Sequence, residues 1–328
     1  MRKIITGLTV ALICVGTNAQ DTMTPDELNA SRGVNFATAE IRTETIASGL
    51  HVLFGVGGNV LASIGSQGVF VVDDQFSGMV PKIRSTIREL GGGEPDFVIN
   101  THWHFDHTGG NSLLASVGSW FVSHVNSRQM MTERQIVNLT GGLLVEQIPS
   151  SPEALPAITY DDRMQFYFNG ELIDLMYFGS AHTTGDTAVI LRESNVVHMG
   201  DVFNTGGYPF IDADNGGDLD GVILFCEGVL QQIDENTIVV PGHGPIGTYA
   251  DLVEYVSMLR IIRERVAMLI AGGATLEDVI AASPTAEWDA VKGDPVRLLD
   301  RWGCCHQRAS AGRAGYLNPC MGQLRILP

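Results

Sequence analysis

The segment Thr101–Gly110, THWHFDHTGG, constrains this chain more than any other part of the sequence. Three histidines and one aspartate fall within six residues, directly after a short apolar run that predicts a buried strand. Burying such titratable groups together without a partner would be costly. As metal ligands they are easily explained, because alternate residues of an extended segment point the same way, so His102 and His104 can bind one ion. Asp106 and His107 can turn towards a second ion.

Further candidate ligands follow predicted strands later in the chain. His182 comes shortly after a strand that ends near Phe178, Asp201 follows VVHMG, and His243 follows IVVPG. A lone histidine or aspartate at a strand end is more often a polar residue satisfied by its neighbours. Together, however, the three complete two coordination shells with the residues of the Thr101–Gly110 segment.

Short apolar runs broken by glycine predict strands, and amphipathic runs predict the helices between them. Asn169-Gly170 supplies the two positive-φ positions of a tight hairpin within residues 163–178. The order of strands and helices favours an α/β protein of layered sheets with outer helices. The predicted strands cover residues 51–54, 60–64, 69–72, 97–100, 187–191, 196–199 and 237–240, and the predicted helices cover 79–90, 219–233 and 250–271.

The pattern His-x-His-x-Asp-His, followed by His, Asp and His at strand ends, resembles the metallo-β-lactamase superfamily over roughly residues 41–271. The resemblance implies a four-layer αβ/βα sandwich in one domain, residues 41–290, with the metals at one edge between two sheets. It implies that the first zinc is held by His102, His104 and His182. It further implies that the second is held by Asp106, His107 and His243, with Asp201 bridging the two.

The resemblance also implies how the reaction proceeds. Two zinc ions would share a hydroxide that attacks a carbonyl, and Asp106 would orient this nucleophile and carry its proton. Asp73 matches an aspartate that orients the metal loop from behind the ligands. We interpret His198, inside an apolar strand, as a buried residue behind the metals. Asn204 and Tyr208 follow Asp201 closely and are candidates for donating a hydrogen bond to the substrate.

The two ends of the sequence lack the alternating strand and helix patterns of its central part. Residues 1–19 have a charged start, a short apolar run and small residues at a cleavage site, which is the pattern of a secretory signal peptide. The protein is therefore expected to be periplasmic or secreted. Residues 20–40 are predicted to be an irregular, mobile leader, and residues 291–328 an irregular C-terminal tail that packs poorly.

Charge limits the classes of partner. The 328 residues carry 37 acidic and 20 basic side chains, a net charge of −17, which disfavours nucleic acid and an anionic membrane surface. We therefore expect a small-molecule substrate, and neither nucleic acid nor membrane as a partner beyond export. The sequence leaves the oligomeric state open.

Three reactions remain open from the sequence. Export favours hydrolysis of a small amide or ester, with β-lactams as the best guess. Asp201 departs from the β-lactamases best known from resistance, which carry cysteine, serine or another residue there. It matches lactonases and glyoxalase II-like thioesterases instead, where a bridging aspartate is usual. The third reading is an iron-dependent sulfur dioxygenase with a single ion, which shares part of the motif.

Overall fold

A computed structural model describes residues 22–139, 142–295 and 298–299. The predicted signal peptide lies outside the described residues, as does most of the predicted tail. The first half of the chain forms α1 (Pro25–Ser31), β1 (Arg42–Ala47), β2 (Leu50–Phe54), β3 (Val60–Gly65), β4 (Gly68–Val72), α2 (Val80–Glu89), β5 (Phe97–Ile99), α3 (Phe105–Thr108), α4 (Asn111–Ala115), β6 (Trp120–His124), α5 (Val125–Met131), β7 (Gln135–Leu139), β8 (Leu143–Gln147) and β9 (Ile158–Tyr160).

The second half continues with sheet, then helices. Its elements are β10 (Arg163–Phe168), β11 (Glu171–Met176), β12 (Ala188–Leu191), β13 (Val196–His198), α6 (Leu219–Leu230), β14 (Ile238–Val240), β15 (Gly247–Thr248), α7 (Tyr249–Ala271), α8 (Leu276–Ala281) and α9 (Ala286–Lys292). Within the described part of the chain, no helix combines the length and apolarity that a membrane span requires.

Two sheets pack face to face. The first has the strand order β1-β2-β3-β4-β5-β6-β9 and the second β10-β11-β12-β13-β14-β15. Phe70 and Ile99 of the first sheet share a buried cluster with Leu175 and Val240 of the second. The core between the sheets therefore joins the two halves of the chain.

The continuous apolar run of β4 has a direct structural reason, because both faces of this strand are buried. Phe70 and Val72 point into the cluster between the sheets, whereas Val69 and Val71 pack against α2. This alternation follows from the two-residue period of a strand. On the far side, α6 and α7 cover the second sheet in a further cluster. The layers are thus helix, sheet, sheet and helix, which confirms the predicted αβ/βα sandwich.

Local sequence signals fix several boundaries as predicted. Asn169 and Gly170 have φ angles of 53° and 82°, so the tight β10–β11 turn forms as expected. Thr248 caps α7 in a capping box with Asp251. Hydrophobic residues at helical spacing along α7 are buried against the second sheet.

Within the described parts of residues 20–40 and 291–328, which are predicted to be irregular, the structure shows residues that pack onto the domain. Pro25–Ser31 forms a helix because Thr24 and Glu27 make a capping box and proline occupies its first position. Leu28 of this helix is buried against the core. In the predicted tail, Leu298 and Leu299 are buried beside α7, so this part of the tail packs onto the domain.

Strand direction brings the site together. Strands β4, β5 and β6 run parallel in the first sheet, and β13 and β14 run parallel in the second. Asp73 and the Thr101–Gly110 segment follow the carboxyl ends of β4 and β5, while Asp201 and His243 follow those of β13 and β14. A hydrogen bond from Thr187 N to Thr101 O, 2.8 Å long, ties the two halves together at this edge.

Candidate metal centre

The first group of candidate ligands consists of three buried histidines from two loops. One ligand nitrogen each from His102, His104 and His182 lies within 4.8 Å of the others. His182 Nε2 is 2.9 Å from His104 Nδ1. His102 Nε2 is buried and has no hydrogen-bond partner among the described residues. An unpartnered imidazole nitrogen is costly to bury, and it is the atom that a metal ion would satisfy.

The remaining nitrogens of these histidines are held by the polypeptide. His182 Nδ1 lies 2.7 Å from the carbonyl oxygen of Phe210, and His102 Nδ1 lies 3.0 Å from Thr101 Oγ1. His104 Nε2 lies 2.9 Å from Asp212 Oδ2. Each ring is therefore fixed by one nitrogen while the other points at a shared position, which is the usual arrangement around a metal ion.

A second group lies beside the first. Asp106, His107 and His243 each offer a ligand atom within 4.8 Å of the others. His243 Nε2 is 3.2 Å from both His107 Nε2 and Asp106 Oδ2. The helical turn Phe105–Thr108 makes this possible, because it rotates Asp106 and His107 away from the direction of the two preceding histidines.

Asp201 links the two groups. Its Oδ1 atom is 3.1 Å from His107 Nε2, and its Oδ2 atom is 3.7 Å from His182 Nε2 and 3.4 Å from His243 Nε2. One carboxylate therefore reaches histidines of both groups, which is the placement that a bridging ligand needs. The structure brings all seven predicted ligand residues to one site.

Asp73 lies behind the candidate ligands and contacts the metal loop, as predicted. Its carboxylate accepts hydrogen bonds from Thr101 N and Thr101 Oγ1, both 2.8 Å long, and Oδ2 lies 2.7 Å from His107 Nδ1. Asp73 is fully buried and has a positive φ of 61° at the end of β4. This one side chain thus anchors the metal loop and orients one of its histidines.

The electrostatics of the site differ between its two ligand groups. Burial, with smaller contributions from neighbouring histidines, holds the pKa of His102 well below its usual range, so its ring is neutral at neutral pH. Because Thr101 Oγ1 donates to Asp73, His102 Nδ1 is the nitrogen that donates to Thr101, which leaves Nε2 as the possible ligand atom.

Burial alone would raise the pKa of Asp106, but His107 and His243 lower it to about 2. Burial opposes ionisation of Asp201 too, yet His243 and His107 keep its pKa well below normal. Both carboxylates are therefore ionised in the metal-free site. Although burial opposes their charge, Asp201 and Asp106 raise the pKa of His107 and His243, so these two histidines would have to lose a proton to bind a metal ion.

The types of ligand atom at the site can be compared with the ligands that different metal ions prefer. Imidazole nitrogens with carboxylate oxygens suit zinc, iron and related transition metals. Together with the buried, unpartnered His102 Nε2, this set fits metal ions held by the residues present.

A cavity of about 480 Å³ opens onto these ligands. Its polar end includes His104, Asp106, Asp201 and His243. Most of the remaining wall is apolar and comes from α1, the β7–β8 hairpin and nearby loops, through Leu28, Val34, Val56, Phe76, Phe105, Val137, Leu139 and Phe210. A cavity of this size fits a small molecule.

Of the other predicted residues, His198, Asn204 and Tyr208, only Asn204 lines the cavity. His198 is fully buried, with Nε2 3.0 Å from the carbonyl oxygen of Asn59, behind the site as interpreted. Tyr208 does not line the cavity: its hydroxyl donates to Asp289 Oδ1 over 2.7 Å, within the core beside α9. The structure therefore gives Tyr208 a packing position rather than the predicted contact with substrate.

Sequence reasoning missed Asp212, which lies in the loop that precedes α6. The structure buries Asp212 completely and places its carboxylate on His104 Nε2. Asn215 Nδ2 donates to both carboxylate oxygens, at 3.1 and 2.9 Å. No local pattern indicates this contact, because 108 positions separate the two residues in the chain.

Comparison with protein families and solved structures supports the architecture. A family model described as the metallo-beta-lactamase superfamily matches residues 57–270. DIM-1 metallo-beta-lactamase superposes with a TM-score of 0.55 at 21% identity, covering 67% of this chain and 97% of that one. A metallo-beta-lactamase from Pontibacter korlensis gives a TM-score of 0.54 at 19% identity, covering 67% and 99%. At these identities the similarity concerns the fold.

Two curated relatives match parts of the sequence. The alpha subunit of 2,4-dinitroanisole O-demethylase from Nocardioides sp. (strain JS1661) is 28% identical over 150 residues, which are 44% of this chain and 41% of that subunit. The probable metallo-hydrolase YqgX from Bacillus subtilis (strain 168) is 27% identical over 168 residues, 50% of this chain and 75% of YqgX. The chain thus spans less than half of the first relative.

Proposed function

This chain belongs to the metallo-beta-lactamase superfamily, and from that premise we propose that it is an exported dinuclear zinc hydrolase that opens β-lactam rings. Membership of this superfamily, together with the likeness to a probable metallo-hydrolase, indicates a metal-dependent hydrolase. The observation that carries the dinuclear part of the proposal is Asp201, whose two oxygens reach histidines of both ligand groups. A carboxylate so placed fits two adjacent ions, whereas a single ion would leave one group without a role.

When bound, two zinc ions supply a water of lowered pKa and polarise a carbonyl group. The side chains of the cavity supply the rest. Asp106 lines the cavity, and its carboxylate can accept a proton from the attacking water and pass it to the leaving group. Asn204 Oδ1 accepts a hydrogen bond from Gly206 N over 2.7 Å, which leaves its amide nitrogen to donate to the developing oxyanion.

The compartment supports the choice of substrate. The signal-peptide pattern of residues 1–19 would deliver the protein to the periplasm or the medium, where β-lactams act. The apolar wall formed by Phe76, Phe105 and Phe210 suits the hydrophobic side groups of a small amide. A net charge of −17 agrees with a small-molecule substrate rather than a polyanion.

One observation favours a second candidate, a lactonase or glyoxalase II-like thioesterase. Asp201 occupies the bridging position that the resemblance assigns to an aspartate in those enzymes, and its pKa keeps it ionised there. The same nucleophile and the same oxyanion donor would serve an ester or thioester as well as an amide. Substrate tests therefore have to include all three bond types.

Metal analysis of the purified protein is the first test, and we expect two zinc ions for each chain. One iron for each chain would instead point to the sulfur dioxygenase reading. The second test is turnover of nitrocefin, a lactone and a thioester by the wild type and by His104→Ala. We expect nitrocefin turnover that this variant loses. Turnover of the lactone or thioester alone would replace the β-lactam proposal with the second candidate.

A further inference from the structure

The N-terminal segment contributes to the cavity although it precedes the part of the chain that matches the family. The family match begins at residue 57, whereas α1 covers Pro25–Ser31. Before α1, Met23 pairs with the β7–β8 hairpin: Met23 N donates to Leu144 O over 2.9 Å, and Glu146 N donates to Met23 O over 2.7 Å. The segment is thereby fixed to the hairpin that forms one wall of the cavity.

Helix α1 is held in place by packing as well. Leu28 is 1% exposed and belongs to the same buried cluster as Phe105 and Val137, which also line the cavity. The backbone of the next turn is closed by hydrogen bonds from Arg32 N to Leu28 O and from Val34 N to Asn29 O, 3.1 and 3.0 Å long. The side chains that α1 turns towards the cavity therefore start from a fixed backbone.

Asn29 and Arg32 are the polar residues that this segment adds to the cavity wall. They are three positions apart, so they lie on one face of the helical turn. Arg32 is exposed, forms no ion pair with another described residue, and is the only Arg or Lys among the described residues that line the cavity. Asn29 is 3% exposed, and its Nδ2 has no hydrogen-bond partner within the described chain.

Both side chains can donate hydrogen bonds to a carboxylate. A guanidinium offers a planar fork of N–H donors that matches a carboxylate, and an amide nitrogen adds one more donor. The acidic residues that line the cavity, Asp106 and Asp201, belong to the metal groups, so no other carboxylate among the described lining residues competes for Arg32.

We propose that Asn29 and Arg32 form a subsite that binds a carboxylate of the substrate while the bond to be hydrolysed lies at the metal groups. The inference rests on the proposed function in that it places the reaction in this cavity. It adds the residues that would hold the acidic group of a small, largely apolar substrate. It also assigns selectivity to a segment outside the family match.

The test uses binding rather than turnover. Zinc-loaded full-length protein is titrated calorimetrically with a series of ω-mercaptoalkanoic acids, from 3-mercaptopropionic to 11-mercaptoundecanoic acid, and with their methyl esters. The thiol serves as the metal ligand, the alkyl chain lies along the apolar wall, and the chain length that places the carboxylate at Arg32 binds best. For that acid we expect esterification to weaken binding about tenfold.

Variants assign this preference to the subsite. In Arg32→Ala the acid and its ester should bind alike, whereas Arg32→Lys should keep part of the preference because charge remains but the fork is lost. Arg88→Ala is the matched control, since it removes a cation from the C-terminal turn of α2, outside the cavity. It should keep the full preference, which excludes an effect of overall charge.

The outcomes separate this inference from the proposed function. Equal loss on esterification in wild type and Arg32→Ala, or no binding by any member of the series, overturns the subsite. An Arg32-dependent preference in a protein that hydrolyses none of the β-lactam, lactone and thioester probes upholds the subsite and overturns the proposed function. Nitrocefin turnover by a protein that binds the acid and its methyl ester equally well upholds the proposed function and overturns the subsite.

Discussion

Replacing Asp212 by asparagine tests whether the residue that sequence reasoning missed tunes the metal centre. Asp212 Oδ2 lies 2.9 Å from His104 Nε2, and both of its oxygens accept from Asn215 Nδ2. If His104 Nδ1 is the metal ligand, its Nε2 carries the proton and donates to Asp212. The carboxylate then fixes the ring and makes Nδ1 a stronger ligand.

The magnitude follows from these contacts. An asparagine at 212 can place its oxygen where Oδ2 lies, but its NH₂ group then faces Asn215 Nδ2 across about 3.1 Å, donor against donor. One hydrogen bond and one buried negative charge are lost, which corresponds to about 1.4–2.8 kcal/mol at the metal. We therefore expect Asp212→Asn to bind zinc about 10- to 100-fold more weakly.

The assay is a competition titration of metal-free protein with zinc and a chromophoric chelator, accompanied by metal analysis and circular dichroism. Asp220→Asn is the control, because this nearby carboxylate is about half exposed and pairs with Arg263 on the surface. The control should bind zinc as the wild type does. Wild-type zinc affinity in a folded Asp212→Asn protein would refute the role assigned to the contact with His104.

Three further predictions concern backbone space, pH and packing. Gly242→Ala would place a Cβ atom against Asp201 Oδ1, so we expect lower zinc content by metal analysis, whereas Gly93→Ala meets no atom within 4 Å and should be unaffected. Burial opposes ionisation of Asp174, but Gln165 and Arg192 lower its pKa in the folded state, so it adds stability above its unfolded pKa that is lost as pH falls through the folded value. In urea unfolding with EDTA, Asp174→Asn should cost about 1–3 kcal/mol at pH 7 and less at pH 3; an equal cost at both would contradict this reasoning. Tyr208→Phe should lower the free energy of unfolding by about 1 kcal/mol and leave kcat of the tested hydrolysis unchanged. A fall in kcat without destabilisation would instead indicate that the Tyr208 hydroxyl contacts the substrate.

The metal groups could be predicted from the sequence because their information is local. His102 and His104 are separated by one residue in an extended segment, which places both on one side, and the buried strand before them fixes where that segment begins. The other ligands follow strands whose apolar runs are evident in the sequence. Parallel strands then bring their carboxyl ends to one edge, so strand prediction and ligand prediction support each other.

The elements between residues 111 and 160 were harder to predict. Strand β6 begins at Trp120, which is 57% exposed, and the β7–β8 hairpin forms a small sheet of its own, so neither shows a clean alternation of buried and exposed positions. Helix α1 did carry a signal, the Thr24–Glu27 capping box with proline between them, which the polar composition of the segment obscured. Contacts such as that of Asp212 with His104 depend on the closed fold and leave no trace in local sequence.

These differences have a common physical origin. Residues that hold the metal groups are set by strand ends, which two close-packed sheets position with little freedom. The wall opposite is built from α1 and the β7–β8 hairpin, which contact the domain through the apolar cluster around Leu28 and Trp103. The hairpin also makes hydrogen bonds to the domain, among them Gln147 Nε2 to Trp103 O and Asn215 Nδ2 to Ile136 O.

Because Asn215 also holds Asp212, a change in the hairpin would reach the contact with His104, whereas Arg32 is exposed and forms no ion pair with another described residue. We therefore expect Arg32→Ala to change ligand preference and Asp212→Asn to change zinc affinity independently, with additive free energies when the two are combined.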